Sequence, residues 1–274
     1  MGAAVADAPF SPRPDRSSGP LRVGLLLASA LGAGLLLQLL LGSNGIDAAD
    51  FAAALPLLLK GLGLTVFISV VSVLLGSLLG AGLLVGLLQP WGSLKTGIWA
   101  FCIAFRGTPA IAQLYLIYYG AGEIHGLLRD AHLWWFFREP LNCVIFTFAL
   151  NSAAYQTRII HGALVNLPRE QTDAAQSLGL SRSVTLVRIL LPQALLTALR
   201  PLGNEVAKVA KASSVASLVT VLDLLGTAKY LVGQSLDFGF YILAAMLYVL
   251  LVGGIRLAVD AIERRLTRHL PPVG

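Results

Sequence analysis

The chain has 274 residues, of which 56% are hydrophobic and only 12% are charged, and its mean hydropathy is +0.77. Soluble globular proteins of ordinary composition do not carry this much apolar surface, so the composition indicates an integral membrane protein. The net charge of +6 does not indicate nucleic acid binding, because the cations stand in clusters beside apolar segments.

The N-terminal part divides into a polar tail and an apolar run. Residues 1–20 are rich in Pro, Ser, Ala and Arg without periodicity, which predicts a disordered tail. Residues 23–41 carry no charge and follow Arg13, Arg16 and Arg22. Positive charges before an apolar run are also the pattern of a secretory signal peptide, which is the alternative interpretation. The apolar run is longer than a signal peptide's apolar region, so we expect a retained membrane helix.

Five further apolar segments each predict a membrane helix. They cover residues 61–89, 96–122, 140–157, 189–225 and 238–255. The charges that interrupt two of them are Arg106 in the second and Arg200, Glu205, Lys208 and Lys211 in the fourth. The fold class predicted is therefore all-α, a polytopic membrane protein with about six transmembrane helices.

The longest polar connection, residues 123–139, is too short to fold as a separate domain. Its aromatic cluster at 134–137 is typical of a membrane interface, with stacking on a ligand as the alternative. Cys102 and Cys143 are isolated in apolar surroundings, which favours buried thiols over a disulfide or a metal site.

The distribution of Lys and Arg between the short loops predicts the orientation. With the N-terminus inside, the cytoplasmic face receives Arg13, Arg16, Arg22, Lys95, Arg158, Arg169, Arg182, Arg188, Arg264, Arg265 and Arg268. The opposite face receives Lys60, Arg129, Arg138 and Lys229. We therefore expect both termini, Asp173 and Arg265 in the cytoplasm, and Asp47 and Glu123 outside.

The loop at 167–182 has the pattern of a short helix with defined ends. Pro168 stands at an early helical position, Glu170 and Asp173 follow in the first turns, and Gly179 is placed to terminate the helix. The small residues between them are Ala174 and Ala175. Such a helix can lie in a cleft of a partner; the alternative is a simple amphipathic cytoplasmic loop.

No pattern in the sequence predicts catalysis. The four histidines are scattered, and there is no nucleophile–base pair and no metal-ligand spacing. A Gly-rich phosphate loop is also missing from the sequence, so any ATP hydrolysis must take place in a separate chain.

Several motifs, in this order and spacing, resemble the polar amino acid uptake permeases of the ATP-binding-cassette (ABC) class, notably the membrane subunits of histidine/lysine/arginine/ornithine and opine importers. The resemblance covers residues 55–270. The matching pieces are 58–62 with Thr65, 105–109 with Gln113 and 118–120, 141–143 with 150–155, the loop 167–182, 191–195, 201–205 and Lys211.

The resemblance implies a three-part organisation: a tail at 1–20, an added helix and loop at 21–54, and a five-helix permease core at 55–270. It implies that the loop 167–182 is the coupling helix that docks on the ATPase. The residues expected there are Glu170, Asp173, Ala174, Ala175 and Gly179. In this loop Asp173 replaces the usual Glu, and Glu170 replaces the usual Gly.

The resemblance also implies partners. These are two ATPase subunits that use ATP and Mg, a second permease subunit that is identical or related, a substrate-binding protein and the amino acid itself. The chain itself is expected to bind no cofactor and no nucleic acid. It is expected to span the bacterial cytoplasmic membrane, in contact with lipid.

A charge in hydrocarbon costs at least about 2.5–3.5 kcal/mol, so charges at membrane depth should face protein or a water-filled path. Pro201 and Gly203 predict a break beside Asn204 and Glu205, where Glu205 contacts substrate or pairs with Lys208. The substrate-pathway candidates are Asn204, Glu205, Tyr155, Arg158, Asn151, Arg106 and Gln113. Arg106 has the alternative of holding a helix break or pairing within the core, and Arg158 stands where many relatives carry Glu.

The sequence therefore predicts the permease subunit of an ATP-driven importer that passes a polar, basic amino acid or an opine into the cytoplasm by alternating access. The alternative is an ion-coupled secondary transporter. That class needs broken helices in both halves of an internal repeat, and the sequence has no convincing repeat. No group of polar residues in the sequence favours a membrane-embedded enzyme or a structural anchor.

Overall fold

The computed structural model describes residues 48–268, together with Gly24 and Gly32. The predicted tail at 1–20 and, apart from these two glycines, the added helix at 23–41 lie outside the described residues. Every regular element within 48–268 is helical, which confirms the all-α fold class.

The helices follow one another with short connections. They are α1 (Ala48–Leu88), α2 (Gly92–Gly107), α3 (Ala110–Glu123), α4 (His125–Asp130), α5 (Trp134–Phe137), α6 (Pro140–Val165), α7 (Arg169–Ser177), α8 (Arg182–Thr185), α9 (Leu191–Ala212), α10 (Leu224–Ser235) and α11 (Gly239–Thr267). A π-helical turn at Leu186–Leu190 joins α8 to α9, and a 3₁₀ helix at Ser213–Val219 follows α9.

Three of the described helical stretches are long and apolar enough to cross a membrane: Ala52–Leu88, Arg182–Val219 and Gly239–Thr267. They overlap the predicted segments 61–89, 189–225 and 238–255, and their ends differ from the predicted ones. The predicted permease boundary at residue 55 falls inside α1, which also contains Lys60.

Helix α6 is the centre of the described bundle. It packs most extensively against α1 and also contacts α2, α3 and α9. Its buried face carries many polar residues, including Asn151, Ser152, Gln156 and Thr157. This polar content explains why α6 is not among the three described stretches that are apolar enough to cross a membrane, although it covers the predicted segment 140–157.

The crossing of α1 and α6 requires a residue without a side chain. A Cβ atom built on Gly76 would lie 2.8 Å from Ser152 Cβ and 3.0 Å from the Ala149 carbonyl oxygen. The two backbones therefore approach closely, as small residues allow in membrane helices. Further along α6, Thr157 Oγ1 donates to the Gly80 carbonyl of α1 at 3.2 Å.

The predicted segment at 96–122 is divided into two helices. Helices α2 and α3 meet at an angle of 105° around Thr108 and Pro109, both in extended conformation. Proline lacks the N–H that would continue the helical ladder, and it disfavours helical geometry at the preceding residue. The chain therefore turns two residues after Arg106, for which holding a helix break was one of the alternatives.

The predicted break at Pro201 and Gly203 was wrong, because α9 runs unbroken from Leu191 to Ala212 through both residues. Gly203 instead allows a close contact with α11: a Cβ there would lie 2.6 Å from the methyl carbons of Val259. An ion pair of 2.8 Å between Arg200 and Glu263 joins the same two helices. Helix α9 ends about ten residues after Gly203, where the 3₁₀ helix begins.

Candidate functional site

The break between α2 and α3 is held by two buried side-chain amides. Gln113 Nε2 donates to the Phe105 carbonyl at 2.8 Å and contacts Thr108 Oγ1 at 2.7 Å. Asn151 Nδ2, on α6, donates to the same Phe105 carbonyl at 2.8 Å and to Gln113 Oε1 at 3.1 Å. The carbonyl freed by the break thus receives two donors, as a buried backbone acceptor requires.

Lys208 of α9 joins this amide pair to a carboxylate and an aromatic ring. Its Nζ atom lies 2.8 Å from Glu205 Oε2 and donates to Asn151 Oδ1 at 3.3 Å. The same atom lies 3.0 Å from the centroid of the Tyr155 ring, and the Arg106 guanidinium carbon lies 4.9 Å from that centroid. We call Arg106, Gln113, Asn151, Tyr155, Glu205 and Lys208 the polar cluster.

Glu205 is the most enclosed charged group of the polar cluster, with its side chain only 4% exposed. Oε2 is bound to Lys208, but Oε1 has no hydrogen-bond partner among the described residues. Burial of a carboxylate oxygen without a hydrogen-bond donor costs free energy. A bound molecule that donates one N–H or O–H group to this atom would remove that cost.

Five of the seven substrate-pathway candidates belong to the polar cluster, and two do not. Arg158 is exposed, with its guanidinium carbon 4.2 Å from the centroid of the Trp99 ring, and the His161 ring packs perpendicular to the same ring. Asn204 is exposed on α9 beside Glu205.

Lys208 was expected only as the ion-pair partner of Glu205, and that pair is confirmed. Its contacts with Tyr155 and Asn151 were not predicted. Lys208 is a cation on the same predicted membrane segment as Glu205, three residues away. That spacing was the signal that could have included Lys208 among the site residues.

The loop at 167–182 contains the predicted short helix, α7, which begins directly after Pro168. Gly179 has φ of +71°, and its N–H donates to the Gln176 carbonyl at 2.9 Å. The Leu180 N–H donates to the Ala175 carbonyl at 3.1 Å, which completes a Schellman motif. The prediction of Gly179 as terminator is therefore confirmed, because this motif requires a left-handed residue after the helix.

Helix α7 has one buried face and one free face. Ala175 is only 2% exposed, whereas Glu170, Asp173 and Ala174 are exposed. The sequence did not predict how α7 is attached to the rest of the protein.

A side-chain hydrogen bond attaches α7 to α9. Gln171 Nε2 of α7 donates to Gln193 Oε1 at 3.0 Å, and Gln193 Nε2 donates to the Ile189 carbonyl at 2.9 Å. Gln193 and Glu205 lie on the same helix, twelve residues or about 18 Å apart. Helix α9 therefore connects α7 to the polar cluster.

No group of three His, Cys, Asp or Glu side chains within the described part of the chain is arranged to hold a metal ion. The hydrogen-bonding groups that converge in the membrane-spanning part, in the polar cluster, are amides, a phenol ring and three charged side chains. Such a set can bind a polar organic molecule through hydrogen bonds and charge.

A family model and named relatives both identify this chain as similar to transport permeases. The family of binding-protein-dependent transport system inner membrane components matches residues 78–268. The chain is 33% identical to the arginine ABC transporter permease protein ArtM of Haemophilus influenzae, over 78% of this chain and 94% of the relative. It is 31% identical to the nopaline transport system permease protein NocM of Agrobacterium fabrum, over 78% and 90%.

A solved structure supports the same family. The crystal structure of an amino acid ABC transporter with histidines superposes with a TM-score of 0.73 at 25% identity, covering 80% of this chain and 99% of the other. The chain therefore belongs to the family of binding-protein-dependent transport system inner membrane components, and it is a permease subunit of an ABC transporter and not an enzyme.

Proposed function

We propose that this permease subunit passes a polar amino acid or an opine into the cytoplasm by alternating access. Relatives named as arginine and nopaline permeases support this substrate class. The observation that carries the proposal is the polar cluster, which joins Glu205 and Lys208 of α9 to Asn151 and Tyr155 of α6 and to Arg106 at the α2–α3 break.

We propose that α7 is the helix on which the ATPase acts. Its exposed residues Glu170, Asp173 and Ala174 form the face offered to the partner, and Gly179 provides the tight exit. The Gln171–Gln193 hydrogen bond transmits a displacement of α7 to α9. Since α9 also carries Glu205 and Lys208, the displacement reaches the polar cluster by rigid-body motion.

The proposed assembly contains this chain and a second permease subunit, identical or related, with two ATPase subunits that bind ATP and Mg. A substrate-binding protein delivers the amino acid on the outer side. Both termini, α7 and Arg265 face the cytoplasm, and Glu123 faces outside, as the asymmetry of Lys and Arg supports.

The proposed docking role is tested by charge reversal. Asp173→Lys should abolish binding-protein-stimulated ATPase activity and uptake in reconstituted transporter, while membrane insertion is unchanged. The matched control is Glu123→Lys, an exposed reversal on the opposite predicted face, which should leave both activities intact. Full stimulated activity in Asp173→Lys would contradict docking through α7.

A further inference from the structure

The polar cluster has the three groups that recognise an organic cation. Glu205 offers a carboxylate, Tyr155 an aromatic face and Asn151 an amide oxygen. The chain's own Lys208 binds all three: its Nζ atom lies 2.8 Å from Glu205 Oε2, 3.0 Å from the Tyr155 centroid and 3.3 Å from Asn151 Oδ1. A substrate ammonium or guanidinium group would need the same position.

The charges of the polar cluster add to this steric conflict. Arg106 lies over the same tyrosine ring and within electrostatic range of both Glu205 and Lys208. Among the described residues no carboxylate forms an ion pair with Arg106. Two cations therefore face one carboxylate, and the excess of positive charge repels a further cation.

We propose that Lys208 is a tethered cation that occupies the cation-binding position of this subunit, and that the site therefore selects substrate side chains without positive charge. This inference rests on the proposed function, because it assigns a substrate class to the same cluster. Glu205 Oε1, which is buried without a partner, remains free to accept a donor from the bound molecule.

The test compares two ligands that differ in charge and hardly in shape. Radiolabelled L-arginine and L-citrulline are bound to the purified full-length permease in lipid nanodiscs, without the substrate-binding protein, so that the selectivity measured belongs to this chain. The variants are Lys208→Met and Lys208→Gln, which remove the cation, and Lys208→Arg, which keeps it. The control is Lys60→Met, the same change at an exposed lysine of α1.

The wild type, Lys208→Arg and Lys60→Met should bind citrulline at least as tightly as arginine. Removal of the tethered cation in Lys208→Met or Lys208→Gln should shift the affinity ratio toward arginine by about tenfold or more. The double variant Glu205→Gln/Lys208→Met should lose this gain, because the carboxylate that attracts the guanidinium group is absent.

The outcomes separate the two proposals. Binding of both ligands with the same affinity ratio in the wild type and the neutral variants would overturn the tethered-cation inference and leave the substrate site in place. A wild type that already prefers arginine would overturn it as well. Binding of neither ligand to any correctly assembled variant would overturn the proposed substrate site, and the inference with it.

Discussion

The Lys208 ammonium and the Glu205 carboxylate lie 2.8 Å apart, one turn along a helix that is long and apolar enough to cross a membrane. The carboxylate is 4% exposed and the lysine 38% exposed, so the pair is enclosed on one side only. Replacement of either residue alone leaves its partner without this ion pair.

The first prediction concerns the stability of this pair. Lys208→Met should destabilise the protein by about 1–3 kcal/mol, less than for a fully buried pair because the lysine is partly exposed. Glu205→Gln/Lys208→Met should recover most of that loss, since neither charge of the pair remains. Thermal unfolding in detergent measures both, and additive losses in the double variant would contradict the coupling.

The second prediction concerns the end of α7. Gly179→Val should abolish uptake while the protein remains inserted, because a β-branched residue at φ of +71° is strained by about 1–2 kcal/mol and α7 loses its exit geometry. Gly179→Asn is the matched control, since Asn tolerates the left-handed region. Equal uptake in both variants would show that the conformation of this residue has no role in coupling.

The third prediction concerns the crossing of α1 and α6. Gly76→Ala should cost about 1–3 kcal/mol, because the added methyl group meets Ser152 Cβ at 2.8 Å. Gly82→Ala, on the same helix, should be neutral or stabilising by about 0.5–1 kcal/mol, because no atom lies within 4 Å of its Cβ position. Thermal unfolding of the two variants side by side checks this; equal stability would contradict the close approach.

The fourth prediction concerns the start of α10. Asp223 is completely buried; its Oδ1 accepts the Gly226 N–H at 2.9 Å, and its Oδ2 accepts the Tyr248 hydroxyl of α11 at 3.1 Å. Asp223→Ala should cost about 2–4 kcal/mol, since it removes a helix cap and leaves buried donors unpaired. Asp223→Asn retains an acceptor and should cost less, and thermal unfolding ranks the two.

The fifth prediction concerns orientation. A cysteine at position 173 should react only with membrane-permeant reagents in intact cells, and a cysteine at position 123 should also react with impermeant ones. The native Cys102 and Cys143 are buried, so their background labelling should be low. Labelling of position 173 by an impermeant reagent would overturn the proposed docking of α7 on a cytoplasmic ATPase.

Some features of the site were predictable because their signals are local. Helix α7 begins after Pro168 and ends before Gly179, as the residue types at its ends predict. The pairing of Glu205 with Lys208 was one of two alternatives, and helical spacing of three residues was sufficient to anticipate it.

Tertiary contacts decide where the apolar segments bend: the break considered for Arg106 is present, and the break predicted at Pro201 and Gly203 was wrong. The turn at Thr108 and Pro109 is stabilised by Gln113 and by Asn151 of another helix, which bind the carbonyl it frees. Pro201 does not break α9, which packs closely on α11 at the neighbouring Gly203. Proline alone does not decide between a turn and a continuous helix.

Local sequence is thus enough for the membrane class, the approximate positions of the described long helices and the ends of α7, because hydropathy, spacing and capping act within a few residues. The meeting of Asn151 with Gln113, 38 residues away, and with Lys208, 57 residues away, depends on how α6 packs between other helices. The occupation of the cation position by Lys208 follows from that packing, since its carboxylate, ring and amide partners come from two different helices.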